Sequence, residues 1–138
     1  MRFTSMFRYG LRALAVLAEN YGKAPVSAKQ ISEQEDISPS FLEQLMAQLR
    51  RKGIIKGVRG PGGGFRLMRP PSRIRISEIV EALEGPVLVS KCIGSNDDLS
   101  VELCERYEDC PVVPLLKNLE RDLTMVLKSY KLSDMRRS

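Results

Sequence analysis

The sequence predicts a mainly α-helical fold, a winged helix-turn-helix with a two-stranded wing, followed by a cysteine loop and a long C-terminal dimerisation helix. Three observations predict it. Apolar residues recur at helical spacing in three successive N-terminal segments, and RGPGGGFRL at 59–67 reads as a glycine-rich hairpin tip between two short strands. A last apolar stripe, from Val112 to Tyr130, repeats at intervals of four and three over about three heptads.

The first helix begins after Thr4 or Ser5, either of which can cap it, and its stripe is Phe7, Leu11, Leu14, Ala18 and Tyr21, ending before Gly22. Pro25-Val26 is an extended link. Ser27 with Gln30 fits a capping box for a second, short helix that holds Ala28 and Ile31 and stops near Asp36. In ISPSFLEQLMAQLRRKG, Ser38 caps a third helix and Pro39 takes its first position, where a missing N–H costs nothing. Leu42, Leu45, Met46 and Leu49 are its buried stripe, Arg50, Arg51 and Lys52 suit its C-terminal dipole, and Gly53 ends it. Strands are expected over Ile54 to Val58 and Phe65 to Met68. Ile74-Arg75-Ile76 is then extended, Ser77 caps a helix carrying Ile79, Val80 and Leu83, and Gly85-Pro86 ends it. Pro111 and Pro114 restrict the last helix to about Leu115 onward. Residues 1–86 thus form the winged unit, 87–111 the cysteine loop, and 112–138 the dimerisation helix and tail.

The glycine loop is not a nucleotide cradle. A P-loop needs a Lys-Ser/Thr pair after its glycines, and here Phe65, Arg66 and Leu67 follow. A dinucleotide fingerprint opens a helix, whereas this loop opens a strand that soon meets Pro70-Pro71. Charge identifies the partner class. Residues 1–75 hold 14 Lys and Arg against 5 Asp and Glu, a balance of +9, while residues 76–138 hold 8 against 12. Such asymmetry favours a polyanion at the first half, and by itself permits DNA, RNA or an anionic membrane. In a winged helix-turn-helix the third helix enters the major groove, so its solvent face, Ser40, Glu43, Gln44, Ala47 and Gln48, meets base edges and phosphates of double-stranded DNA. Arg59, Gly60, Gly62 and Arg66 would place the wing on the sugar-phosphate rail of the neighbouring minor groove. No apolar stretch reaches the length of a membrane span and no export signal opens the chain, which implies a cytoplasmic protein with no membrane partner. No catalytic residues are expected.

Cys92, Cys104 and Cys110 are the only cysteines, with eleven and five residues in the gaps, and the chain has no histidine. An odd count without an export signal argues for a thiolate site or free thiols over a disulfide framework. Zinc wants four ligands and iron-sulfur clusters usually four thiolates, so either would lack one donor. Asp97, Asp98, Glu102, Glu105, Glu108 and Asp109 lie in the same stretch. Inert packing residues, a zinc site and a redox pair remain open alternatives.

MRFTSMFRYGLRAL, ISPSFLEQLMAQLRRKGII, the wing VRGPGGGF and the three downstream cysteines together resemble the IscR/NsrR/RirA family of bacterial transcription regulators, the Rrf-two superfamily. The resemblance covers nearly the whole chain. It implies a homodimer on palindromic operator DNA, controlled by an iron-sulfur cluster, 2Fe-2S or 4Fe-4S, that senses iron, redox state or nitric oxide, with Cys92, Cys104 and Cys110 as metal ligands. It allows an alternative in which a thiol switch, a metabolite or a protein partner controls a repressor of the same family without a cluster. There are departures. Cluster-binding relatives commonly leave five residues in each gap, so the first interval here is six longer. The position of a ligating histidine three residues past the last cysteine holds Val113, and that of an acidic ligand in the first helix holds Arg8. The fourth ligand is unassigned.

Overall fold

The structure is a computed structural model and describes residues 2–93 and 105–137. Three helices open it. Helix α1 spans Ser5–Glu19, and the Thr4 hydroxyl caps it by accepting the Phe7 N–H at 3.4 Å. Helix α2 spans Ala28–Glu35 and starts in the expected capping box, with the Ser27 hydroxyl accepting from the Gln30 N–H and the Gln30 side chain accepting from the Ser27 N–H. Asp36 then takes a left-handed conformation, φ 52°, which turns the chain sharply into helix α3, Pro39–Arg51. Asp is one of the few residues that accept that region singly. The Ser38 hydroxyl caps α3, and Leu42, Leu45, Met46 and Leu49 are its buried face, as the periodicity predicts.

The wing is an antiparallel pair, β1 (Ile55–Val58) and β2 (Gly64–Leu67), each within a residue of its predicted limits. Val26 adds a one-residue third strand by exchanging two backbone hydrogen bonds with Phe65, of 3.0 and 2.8 Å, and so ties the root of the hairpin to the start of α2.

Helix α4 spans Ile76–Glu84, and here the expected cap is displaced by two residues. Arg75 is the N-cap and Ser77 lies inside the helix, because the Glu78 carboxylate accepts the Arg75 N–H at 2.8 Å and so closes the helix end from within. Helix α5 runs Val112–Ser129, three residues earlier than expected. Pro114 falls in its first turn, where the backbone N–H has no intrahelical partner to lose.

One core joins these elements, with Leu14, Leu17, Ile31, Leu42, Leu45, Leu49, Ile54, Ile55, Ile74 and Ile79 wholly enclosed. Of the stripe predicted for α1, Phe7 and Leu14 are buried, Leu11 and Ala18 are half-buried, and Tyr21 is exposed beyond the end of the helix. The buried face is completed instead by Gly10, Ala13, Val16 and Leu17, because α1 sits between other helices and needs a broad apolar surface. A last feature is absent from the sequence reading. After α5 the chain returns to this core as a strap: the Ile76 N–H donates to the Tyr130 carbonyl at 2.9 Å, the Leu132 N–H to the Ile74 carbonyl at 2.8 Å, and Leu132 is buried among the residues named above.

Candidate nucleic-acid interface

The core that buries one side of α3 exposes the other. Ser40, Glu43 and Gln44 stand in solvent, and Ala47 and Gln48 are half-buried behind them. Ser38 and Pro39 fix where this face begins, and the four buried apolar residues fix its rotation. Beside it lies a cleft of about 440 Å³ lined by Glu43, Met46, Ala47 and Arg50 of α3 and by Phe65 of β2. The cleft therefore lies between one flank of α3, the start of α2 at Ala28 and the root of the hairpin at Phe65.

The four glycines of the wing divide into two pairs. Gly60 and Gly62 have φ of 96° and 74°, and a Cβ on either would meet nothing within 4 Å. They form the open tip. A Cβ on Gly63 would lie 2.2 Å from the Val58 carbonyl oxygen, and one on Gly64 would lie 2.3 Å from that of Val26. Those two are required by the protein's own backbone, so only the outer pair is left to approach a ligand.

Arg59 is exposed at the tip. Arg66 is exposed too, but its guanidinium donates to the Lys23 carbonyl at 3.3 Å, which holds it near the root of the hairpin. Directly opposite Arg66 in the ladder is Lys56, a residue that sequence reasoning did not single out. Two cations facing each other across a strand pair repel, and a phosphate between them would remove that cost. The signal that could have found Lys56 is strand alternation counted back from Arg66 through the turn.

The cysteine region is described in part. Cys92 lies in a short 3-10 turn at Lys91–Ile93 that packs on α5, and its sulfur is 3.0 Å from the Ser90 hydroxyl. Cys110 lies two residues before α5, ahead of the N-cap Pro111, and its carbonyl accepts the Val113 N–H at 3.3 Å. Both are free thiols, half-buried. Cys104, with Asp97, Asp98 and Glu102, lies outside the described residues. Among the described residues no three Cys, Asp or Glu side chains are gathered as a metal site. Val113 is buried in the first turn of α5, and Arg8 on α1 is exposed.

Helix α5 shows an uncovered apolar face: Val112, Leu115, Leu119 and Val126 are each at least 44% exposed. Its other side packs on α4 and the 91–93 turn, with Val113 buried and Leu127 against the core. Among the described residues no helix is long and apolar enough to cross a membrane.

Comparison with known proteins agrees with this architecture. The Rrf2 family model, described as an iron-dependent transcriptional regulator, matches residues 3–138. The chain is 36% identical over 135 residues to the transcriptional regulator IscR of Xenorhabdus nematophila, covering 98% of this chain and 79% of that protein. Among solved structures, CymR, the global cysteine regulator of B. subtilis, superposes with a TM-score of 0.75 at 31% identity, over 97% of this chain and 95% of that one. IscR of T. potens gives 0.72 at 28%, over 100% and 94%. With a matching family model along almost its whole length and a winged helix-turn-helix in its structure, this chain belongs to the Rrf2 family of transcriptional regulators.

Proposed function

We propose that the protein is a cytoplasmic, homodimeric regulator that binds palindromic operator DNA through α3 and the wing and is controlled by the redox state of its thiols. The observation that carries the DNA reading is the outward side of α3, with Ser40, Glu43 and Gln44 exposed and Gln48 half-buried, together with the exposed Arg59-Gly60-Gly62 tip, all set in the cationic half of the chain. Phosphate contacts from Arg59 and the Lys56–Arg66 pair would hold register, and Glu43 and Gln44 would read base edges. The second copy belongs on the exposed α5 face, since a stripe of that size is rare on a monomer. Two α3 helices would then address half-sites about 34–36 Å apart, or a multiple of it.

Thiol control is supported by the free, half-buried Cys92, in the turn that packs on α5, and Cys110, just ahead of α5, and by the likeness to CymR. One of the solved relatives is an oxidised form of Staphylococcus aureus CymR, 30% identical to this chain. Two thiols joined as a disulfide would reduce one hydrogen peroxide to two waters and cross-link the segment that leads into α5.

An iron-sulfur cluster is the second reading, favoured by the family's iron-dependent description and by the IscR likeness. The described residues do not by themselves supply a ligand set for it. Purification without oxygen, followed by an absorbance spectrum, iron and sulfide assays and operator binding before and after peroxide, decides between the two. A colourless protein whose DNA affinity changes on oxidation and returns with dithiothreitol supports thiol control. A brown protein with stoichiometric iron and sulfide overturns it in favour of the cluster.

A further inference from the structure

Beneath the strap lies a cavity of about 610 Å³, within the roughly 300–1,000 Å³ usual for small-molecule sites. We propose that it binds a small amphipathic anion, a single carboxylate carried on a short apolar chain. This goes beyond thiol control and does not depend on it.

The strap is pinned at both ends, and its short turn at Leu132–Asp134 touches α1 beside the cavity. One end is held by the backbone bonds at Tyr130 and Leu132, the other by Arg137, which pairs with Glu19 and, at 2.5 Å, with Glu35. The space has an apolar lining, Leu11, Ala15 and Ala18 from α1 and Leu132 and Met135 from the strap. The two alanines leave the room that larger side chains would fill. Leu11 and Ala18 pack against the core but stay half-buried, and their remaining apolar surface lines this space.

The polar rim has an excess of positive charge. Arg12, Arg136 and Arg137 line it together with Glu19 and Glu35. Glu35 is 6% exposed and is occupied by Arg12 and Arg137, and Arg137 also takes Glu19. Arg136 has no hydrogen bond or ion pair among the described residues. Three guanidiniums over two carboxylates leave one unit of positive charge beside an apolar space. A planar carboxylate satisfies a guanidinium with two parallel hydrogen bonds, while its chain fills the alanine-floored space.

The position gives such a ligand leverage on the DNA-facing surface. Glu35 is the last residue of α2, directly before Asp36, whose left-handed turn aims α3. An anion that recruits Arg12 or Arg137 changes the pairing of Glu35 at that joint.

The test is isothermal titration of the full chain, without DNA, with sodium acetate, butyrate and hexanoate at constant ionic strength, and with hexylamine as the cationic control. Affinity is expected to rise roughly fourfold for each added buried methylene. Arg136→Gln should weaken hexanoate binding at least about tenfold, the loss of one charge-assisted pair. Ala15→Leu and, independently, Ala18→Leu should weaken hexanoate more than acetate, because each fills the space that holds the chain. Thermal melts of each variant identify those that fold, and either alanine variant suffices. No binding by any carboxylate up to about 10 mM would overturn the proposal. So would equal binding of hexylamine, or folded variants that bind hexanoate like the parent protein.

Discussion

The carboxylate of Glu35 accepts a hydrogen bond at 2.5 Å from Arg137, a residue 102 positions further along the chain. Arg12 approaches the same side chain, 3.5 Å from the other oxygen, and donates to the Glu35 carbonyl at 2.5 Å. One buried acid thus gathers α1, the end of α2 and the strap. Removing it would leave two guanidiniums that are half-exposed and can turn to water, so the cost is well below that of orphaning a buried charge. Glu35→Ala is expected to lower the stability of the fold by about 1–2 kcal/mol, measured by urea unfolding.

The wing glycines should separate into two classes. Gly64→Ala forces a Cβ into the Val26 carbonyl and is expected to cost about 3 kcal/mol or more. Gly62→Ala meets open space and pays only for its left-handed backbone, about 1–2 kcal/mol. Melting temperatures of the two variants, compared side by side, test the ranking.

On DNA, affinity should fall steeply with salt. Arg59→Ala is expected to reduce the slope of log K against log salt by about 0.9, one phosphate, with little change in sequence preference. Glu43→Ala or Gln44→Ala should instead alter which base pairs are preferred. Fluorescence anisotropy over a salt series and on an operator library reads both effects.

Dimer formation should depend on the uncovered face of α5. Leu119→Glu places a charge in the middle of that stripe and is expected to raise the dimer dissociation constant at least about tenfold, observed by sedimentation, while the monomer keeps its helical circular dichroism.

The cap of α4 predicts an acid-side dependence. Burial raises the pKa of Glu78, but hydrogen bonds from the Arg69 guanidinium and the Arg75 N–H outweigh it and hold the group below its ordinary value of 4.5. Since the folded-state pKa is depressed, the stabilisation is complete above about pH 4.5 and is lost as the pH falls through the folded value. Glu78→Gln should flatten that part of the stability profile, followed by thermal unfolding between pH 3 and 6.

What the sequence determined by itself lies in signals that act within a turn or two of chain. Ser27 with Gln30, Ser38 with Pro39, and the stripe Leu42, Leu45, Met46 and Leu49 place α2 and α3 correctly, because capping and helical spacing involve residues three or four apart. The outward side of α3, with Ser40, Glu43 and Gln44 exposed, follows from the same spacing. Only tertiary structure decided the rest. Gly63 and Gly64 look like part of an open loop until Val58 and Val26 come near, and Lys56 has no partner until the hairpin register sets Arg66 opposite it. Leu132 and Arg137 read as a polar tail until the fold returns them to Ile74 and Glu35. Those contacts join residues that no local periodicity relates, so their energies exist only once the chain has closed on itself.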